Sequence, residues 1–219
     1  MFKFSSNVIY LALAALISPT FALAGSCICV ACVFDPKLEN FIAVSEAMSP
    51  TINTGECALM RQFDPLEETI QRGDVIGFEP HPNQPILVYR VVAKAGDTIS
   101  LHNGQIILNG RPIPQIFLTP DEIVFPSKPP FPSCEKVTRA GDMCTRSRLR
   151  ENLSADSSYE ILDTGITPID NMAEITVPPS HIFVMGDNRD NARDSRFDTQ
   201  VGGPGAVALS SVVGIFDDP

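Results

Sequence analysis

The chain has 219 residues, 26 of them acidic and 16 basic, for a net charge of −10. No basic face points to nucleic acid, and acidity of this size bears on solubility rather than on fold. A hydrophobic share of 44% and a charged share of 19% are globular values, and the length suffices for one main domain plus an insertion.

In chain order, the first feature is an apolar N-terminus. Lys3 is the only charge before Asp35, and residues 8–34 are nearly all apolar, broken by Ser18-Pro19-Thr20. Two readings stand for this N-terminal segment, residues 1–34. Ala22-Leu23-Ala24 after an apolar core fits an export signal cleaved after Ala24. The stretch is also long enough to span a bilayer. Either reading keeps the N-terminus inside and exports the rest, to the periplasm or the periplasmic face of the inner membrane.

Six cysteines suit such an oxidising compartment. Cys27, Cys29 and Cys32 read as buried or lipid-proximal thiols. No histidine lies near them and no fourth ligand is apparent, so no metal site is expected. Cys57 reads as a core strand position. Cys134 and Cys144 enclose a short loop, where a disulfide is expected to contribute about 3 kcal/mol.

The body of the chain is β-rich. Strands are expected over residues 56–60, 74–78 and 86–92. A hairpin is expected over residues 97–110, turning at Asn103-Gly104, with a second turn at Asn109-Gly110. From Pro114 the pattern loosens, and the proline-rich run 126–132 cannot be a central strand. Residues 146–153 and 158–162 read as strands of a peripheral insertion. His181–Met185 is a further strand, and residues 206–216 a short helical turn followed by a strand. His81, His102 and His181 lie far apart and read as surface or turn residues.

The densest information follows that strand. Gly186-Asp187-Asn188-Arg189-Asp190-Asn191-Ala192-Arg193-Asp194-Ser195-Arg196 packs Asp, Asn and Arg into eleven residues. Asp and Asn suit a turn out of a sheet, and Arg beside Asp makes charge-assisted bonds that fix a loop. The segment resembles the most diagnostic box of type I signal peptidases, membrane-bound Ser/Lys endopeptidases that remove signal peptides from exported proteins. Three further stretches resemble the family's other boxes, in the family's order: Ser45-Glu46-Ala47-Met48-Ser49-Pro50-Thr51, Arg72-Gly73-Asp74-Val75-Ile76 and Tyr89-Arg90-Val91-Val92-Ala93-Lys94-Ala95-Gly96-Asp97.

The resemblance breaks at the reacting positions. The family's nucleophilic Ser falls on Ala47, its general-base Lys on Tyr89, and a Ser that orients the lysine on Ala192. A Ser attacks an amide only beside a positioned base, and a Lys is that base only when burial lowers its pKa. Once the Ser is gone, a buried Lys is a desolvation burden that a neutral residue removes. Ser45 falls where the family has a hydroxyl of the oxyanion hole. If the chain is extended there, Ser45 faces the cleft on the same side as Ala47. Ser49 is two residues away on the other side. Lys94, five residues beyond Tyr89, is expected on the opposite strand face, in a solvated turn. Arg90, Asp187, Asp194 and Arg196 are expected to brace the cleft.

The resemblance implies a mainly β fold, with a signal peptidase I-like antiparallel core over residues 41–113 and 178–219 and a β insertion over 114–177. It implies a non-catalytic family member that binds extended, small-residue peptides or signal sequences of exported proteins, with a membrane surface as a further candidate partner and no cofactor. Two alternatives are an active peptidase with relocated serine chemistry and a structural subunit of an envelope or secretion complex.

Overall fold

The computed structural model describes residues 27, 29, 31–129, 131–136, 138–217 and 219. Both readings of the N-terminal segment therefore fall largely outside the described residues. No helix among the described residues is long and apolar enough to cross a membrane.

Fifteen strands alternate with turns among the described residues: β1 (Leu38–Ile42), β2 (Cys57–Gln62), β3 (Val75–Phe78), β4 (Leu87–Lys94), β5 (Thr98–His102), β6 (Gln105–Leu108), β7 (Arg111–Pro112), β8 (Gln115–Phe117), β9 (Asp121–Val124), β10 (Met143–Ser154), β11 (Ser157–Asp163), β12 (Met172–Thr176), β13 (His181–Met185), β14 (Val207–Ala208) and β15 (Val212–Phe216). They form three antiparallel sheets. The largest runs β1-β2-β15-β3-β4-β13-β14, the second β11-β10-β8 with β9 also on β10, and the third β12-β5-β6-β7.

The central strands explain the architecture. β3 and β13 are almost wholly buried, as is the middle of β4. Such strands are mostly apolar on both faces, Arg90 of β4 being the charged exception, and their two faces feed different cores. Tyr89, Val91, Ile182 and Val184 pack into one cluster with Met48, Phe78 and Phe216. Val92, Ala93, Phe183 and Met185 pack into another with Ile99, Ile106 and Ile161. Each such side chain, taken fully out of water, contributes about 1.5–3 kcal/mol. β4 is thus a shared wall between two apolar interiors.

Both Asn-Gly turns form as expected. Asn103 and Gly104 have φ of 49° and 79°, and Asn109 and Gly110 have 52° and 74°. Positive φ at both central residues is what a two-residue hairpin of matching twist needs. β12 then returns to pair with β5.

The cysteines correct the sequence reading. Cys27 bonds Cys57, Cys29 bonds Cys32, and Cys134 bonds Cys144. Only the last pairing was expected. Cys57 is exposed rather than core, because it opens β2 on its outer side, opposite Ile42 of β1. There the chain brings Cys27 within bridging reach, at a Cα–Cα distance of 5.7 Å. Cys27, Cys29 and Cys32 are therefore disulfide-bonded rather than free thiols.

Candidate functional site

The end of β13 sets the site. Met185 lies opposite Arg90, and on the other side of β4 Tyr89 lies opposite Ile76. The turn at Gly186 therefore begins beside Tyr89. A methyl group placed on Gly186 would stand 2.3 Å from Ala192 Cβ, 2.6 Å from the Ala47 carbonyl oxygen and 3.5 Å from Tyr89 Cε1. Positions 47, 89 and 192, scattered through the sequence, converge on one glycine. Only a residue without Cβ leaves room for the other three.

All three side chains are buried, and all three belong to one apolar cluster. Tyr89 packs near Phe78, with ring centroids 6.1 Å apart, and its Oη donates to the Arg193 carbonyl at 3.1 Å. Burial, helped by the negative charge of Asp194, pushes the Tyr89 phenol up to about 12. At neutral pH this group is a hydrogen-bond donor already in use, and it takes no proton. Ala47 and Ala192 offer methyl groups. The amide of Asn188 donates to the Ala47 carbonyl at 3.1 Å, which fastens the box to this segment.

Beside these positions opens a groove of about 240 Å³, with Ala43, Val44, Ser45, Ala47 and Ala58 on one side and Ile86, Val88 and Tyr89 on another. Its lining is aliphatic apart from Ser45 and the rings of Phe41, Tyr89 and Phe216. The segment 45–50 is bent and turned rather than extended, so strand alternation does not apply there. Ser45 nonetheless lines the groove and is exposed. Ser49 does not face the groove. It is fully buried, and its Oγ donates to Glu46 Oε2 at 3.2 Å. Lys94 ends β4 and donates to Gln71 Oε1 at 3.1 Å, away from the groove.

The ionic residues lie behind this wall. Arg90 grips Asp187 through two parallel bonds, Nε to Oδ1 at 2.8 Å and Nη2 to Oδ2 at 2.6 Å. Its Nη1 donates to the Gly73 carbonyl at 2.7 Å, and its guanidinium sits 4.2 Å from the centre of the Tyr159 ring. Burial opposes the Arg90 charge, but Asp187 outweighs it and raises the pKa. Asp194 accepts from the Gly186 amide at 2.9 Å and from Arg196 Nε and Nη2, each at 2.8 Å. Thus Arg90, Asp187, Asp194 and Arg196 form two buried pairs that hold the turn closed.

Several contacts of this scaffold carried no sequence signal. Thr51 Oγ1 donates to Asp187. Arg189 pairs with the fully buried Glu151, through Nη1 to Oε1 at 2.7 Å and a second bond from Nη2 to Oε2. Glu151 also accepts from Tyr159 Oη and Gln115 Nε2, each at 2.9 Å. Burial pushes Glu151 up, but Arg189 more than offsets it and holds the carboxyl below its usual range. Asp190 accepts from the Thr164 amide at 2.7 Å and from Thr164 Oγ1 at 2.8 Å. The box is therefore bolted to β10 and, through the Leu162 amide on the Asp187 carbonyl at 2.8 Å, to β11, as well as to β4.

Comparison with known proteins identifies the family. A family model described as signal peptidase, peptidase S26, matches residues 12–217. Signal peptidase I P of Bacillus subtilis subsp. natto is 23% identical over 177 residues, covering 81% of this chain and 74% of the relative. Signal peptidase I of Pseudomonas aeruginosa is 27% identical over 175 residues, covering 73% of this chain and 55% of the relative. A crystal structure of a signal peptidase I from Enterococcus faecalis aligns with 19% identity and a TM-score of 0.35, over 68% of this chain and 97% of that one.

Proposed function

Since this chain belongs to the signal peptidase S26 family, we propose that it is a member that holds peptides without cutting them. Its ligands are extended, small-residue segments of exported proteins, seated in the groove between residues 43–47 and 86–89. The observation that carries this reading is the convergence of Ala47, Tyr89 and Ala192 on Gly186. By the family resemblance, these are the positions of the nucleophile, the base and the hydroxyl that orients the base. An alanine methyl cannot attack a carbonyl, and a buried phenol pushed up to about 12 does not accept its proton. The groove itself is suited to small apolar side chains, and strand addition supplies backbone hydrogen bonds to a guest.

The location that goes with this reading is the periplasm or the periplasmic face of the inner membrane. Relocated serine chemistry finds no support. Ser49 is committed to Glu46, and no described amine lines the groove beside Ser45.

The test is a signal-peptide substrate offered to the purified protein. Binding without cleavage is expected. The combined Ala47→Ser, Tyr89→Lys and Ala192→Ser variant is expected to regain some cleavage. Turnover by the unmodified protein that disappears in a Ser45→Ala variant would refute the proposal.

A further inference from the structure

The strongest unassigned chemistry lies at the N-terminal edge of the large sheet. Cys29 and Cys32 close a four-residue ring, the least stabilising loop of the three disulfides on chain-entropy grounds. Both residues are partly exposed. The Cys32 amide points at Cys29 Sγ from 3.0 Å, so a thiolate formed on Cys29 would have a hydrogen-bond donor already in place. Val33 and Phe34 follow directly and are 80% and 82% exposed, leaving an apolar landing beside the sulfurs.

The surroundings separate this disulfide from any tethering duty. Cys27 is fastened to β2 through Cys57. Asn40 of β1 donates to the Cys27 carbonyl at 2.6 Å, and its Oδ1 lies 3.9 Å from Cys32 Sγ. Opening Cys29–Cys32 would leave these anchors intact, so the ring can be broken and remade without unfolding the edge.

We propose that Cys29–Cys32 is a dithiol–disulfide exchange site that passes its disulfide to a cysteine pair of another polypeptide. A thiolate of the partner attacks Cys32 Sγ, and the Cys29–Cys32 bond breaks. Cys29 leaves as a thiolate held by the Cys32 amide. The partner's second thiolate then attacks the partner sulfur bonded to Cys32, forming the partner disulfide and releasing Cys32. The partner is oxidised by two electrons, and the two protons from its thiols end on Cys29 and Cys32. Oxidised glutathione, a small-molecule disulfide, resets the site by the reverse exchange. The site does not depend on what the groove binds.

The test mixes the fully oxidised protein with a reduced two-cysteine peptide. Products are alkylated at intervals and mapped by mass spectrometry. Cys29–Cys32 is expected to open at least about tenfold faster than Cys27–Cys57 and Cys134–Cys144, with matching peptide oxidation. Adding oxidised glutathione is expected to yield more oxidised peptide than there is protein. The Cys29→Ser, Cys32→Ser double variant, with its other two disulfides confirmed, is expected to lose both effects. Any other order of opening in the unmodified protein, or undiminished peptide oxidation by the double variant, overturns the proposal.

Discussion

Replacing Asp187 with Asn keeps the side chain's shape and removes its charge. The pair it forms with Arg90 is nearly sealed from water, with side chains 8% and 1% exposed. Removing one partner of such a pair costs about 3–5 kcal/mol, because the other charge is stranded. Asn retains one acceptor, and Arg90 keeps the Gly73 carbonyl and the Tyr159 ring. The expected loss is therefore at the lower end, about 3 kcal/mol. For a chain of this size that lowers Tm by about 6–12 °C. Urea unfolding with the disulfides kept oxidised measures it directly, for D187N, R90M and the R90M/D187N pair. The double variant should lose less than the two single losses combined, since it strands no charge. Raising salt should leave the D187N deficit almost unchanged, since screening acts on exposed charges. A loss under about 1 kcal/mol, or full additivity in the double variant, would show that this pair is not what holds the turn.

Three further outcomes follow from the same contacts. Asp97 is held down to about 2: burial pushes its carboxyl up, but bonds from Arg72, Asn109 and the Lys94 amide outweigh it. Its stabilising share is complete above the unfolded carboxylate range and fades as pH falls from about 4 toward 2; an Asp97→Asn variant should show a flatter acid limb in pH-dependent unfolding. The Tyr89 phenol, raised to about 12, adds stability that is full below pH of about 10 and is lost between about 10 and 12. Ultraviolet titration of wild type against Tyr89→Phe should resolve that late ionisation, and the variant should unfold about 1 kcal/mol more easily for want of the bond to Arg193. Gly186→Ala drives a methyl group to 2.3 Å from Ala192 Cβ and 2.6 Å from the Ala47 carbonyl oxygen; thermal denaturation should show a loss of about 1–3 kcal/mol.

How far the sequence alone reaches depends on which face a strand shows. The runs 74–78, 86–92 and 181–185 are mostly apolar because both faces are largely buried, and each appears in place. Residues 38–42 and 172–176 carry no such signature, since β1 and β12 are sheet edges with mostly exposed side chains. Ala47, Tyr89 and Ala192 stood out only through the family resemblance, because nothing local in them marks chemistry, and their convergence on Gly186 was not foreseen. The Arg189–Glu151 pair was illegible, since its partners lie 38 residues apart. Cysteine pairing was equally hidden. An outward-facing Cys57 and a buried one look alike in a short strand.

Tyr89 and Arg90 are adjacent in the chain but leave β4 on opposite sides, one toward the groove and one toward Asp187 and Tyr159. The strand itself therefore separates the groove lining from the ionic joints. The group at position 89 can be exchanged without touching the ionic joint that Arg90 makes on the far side.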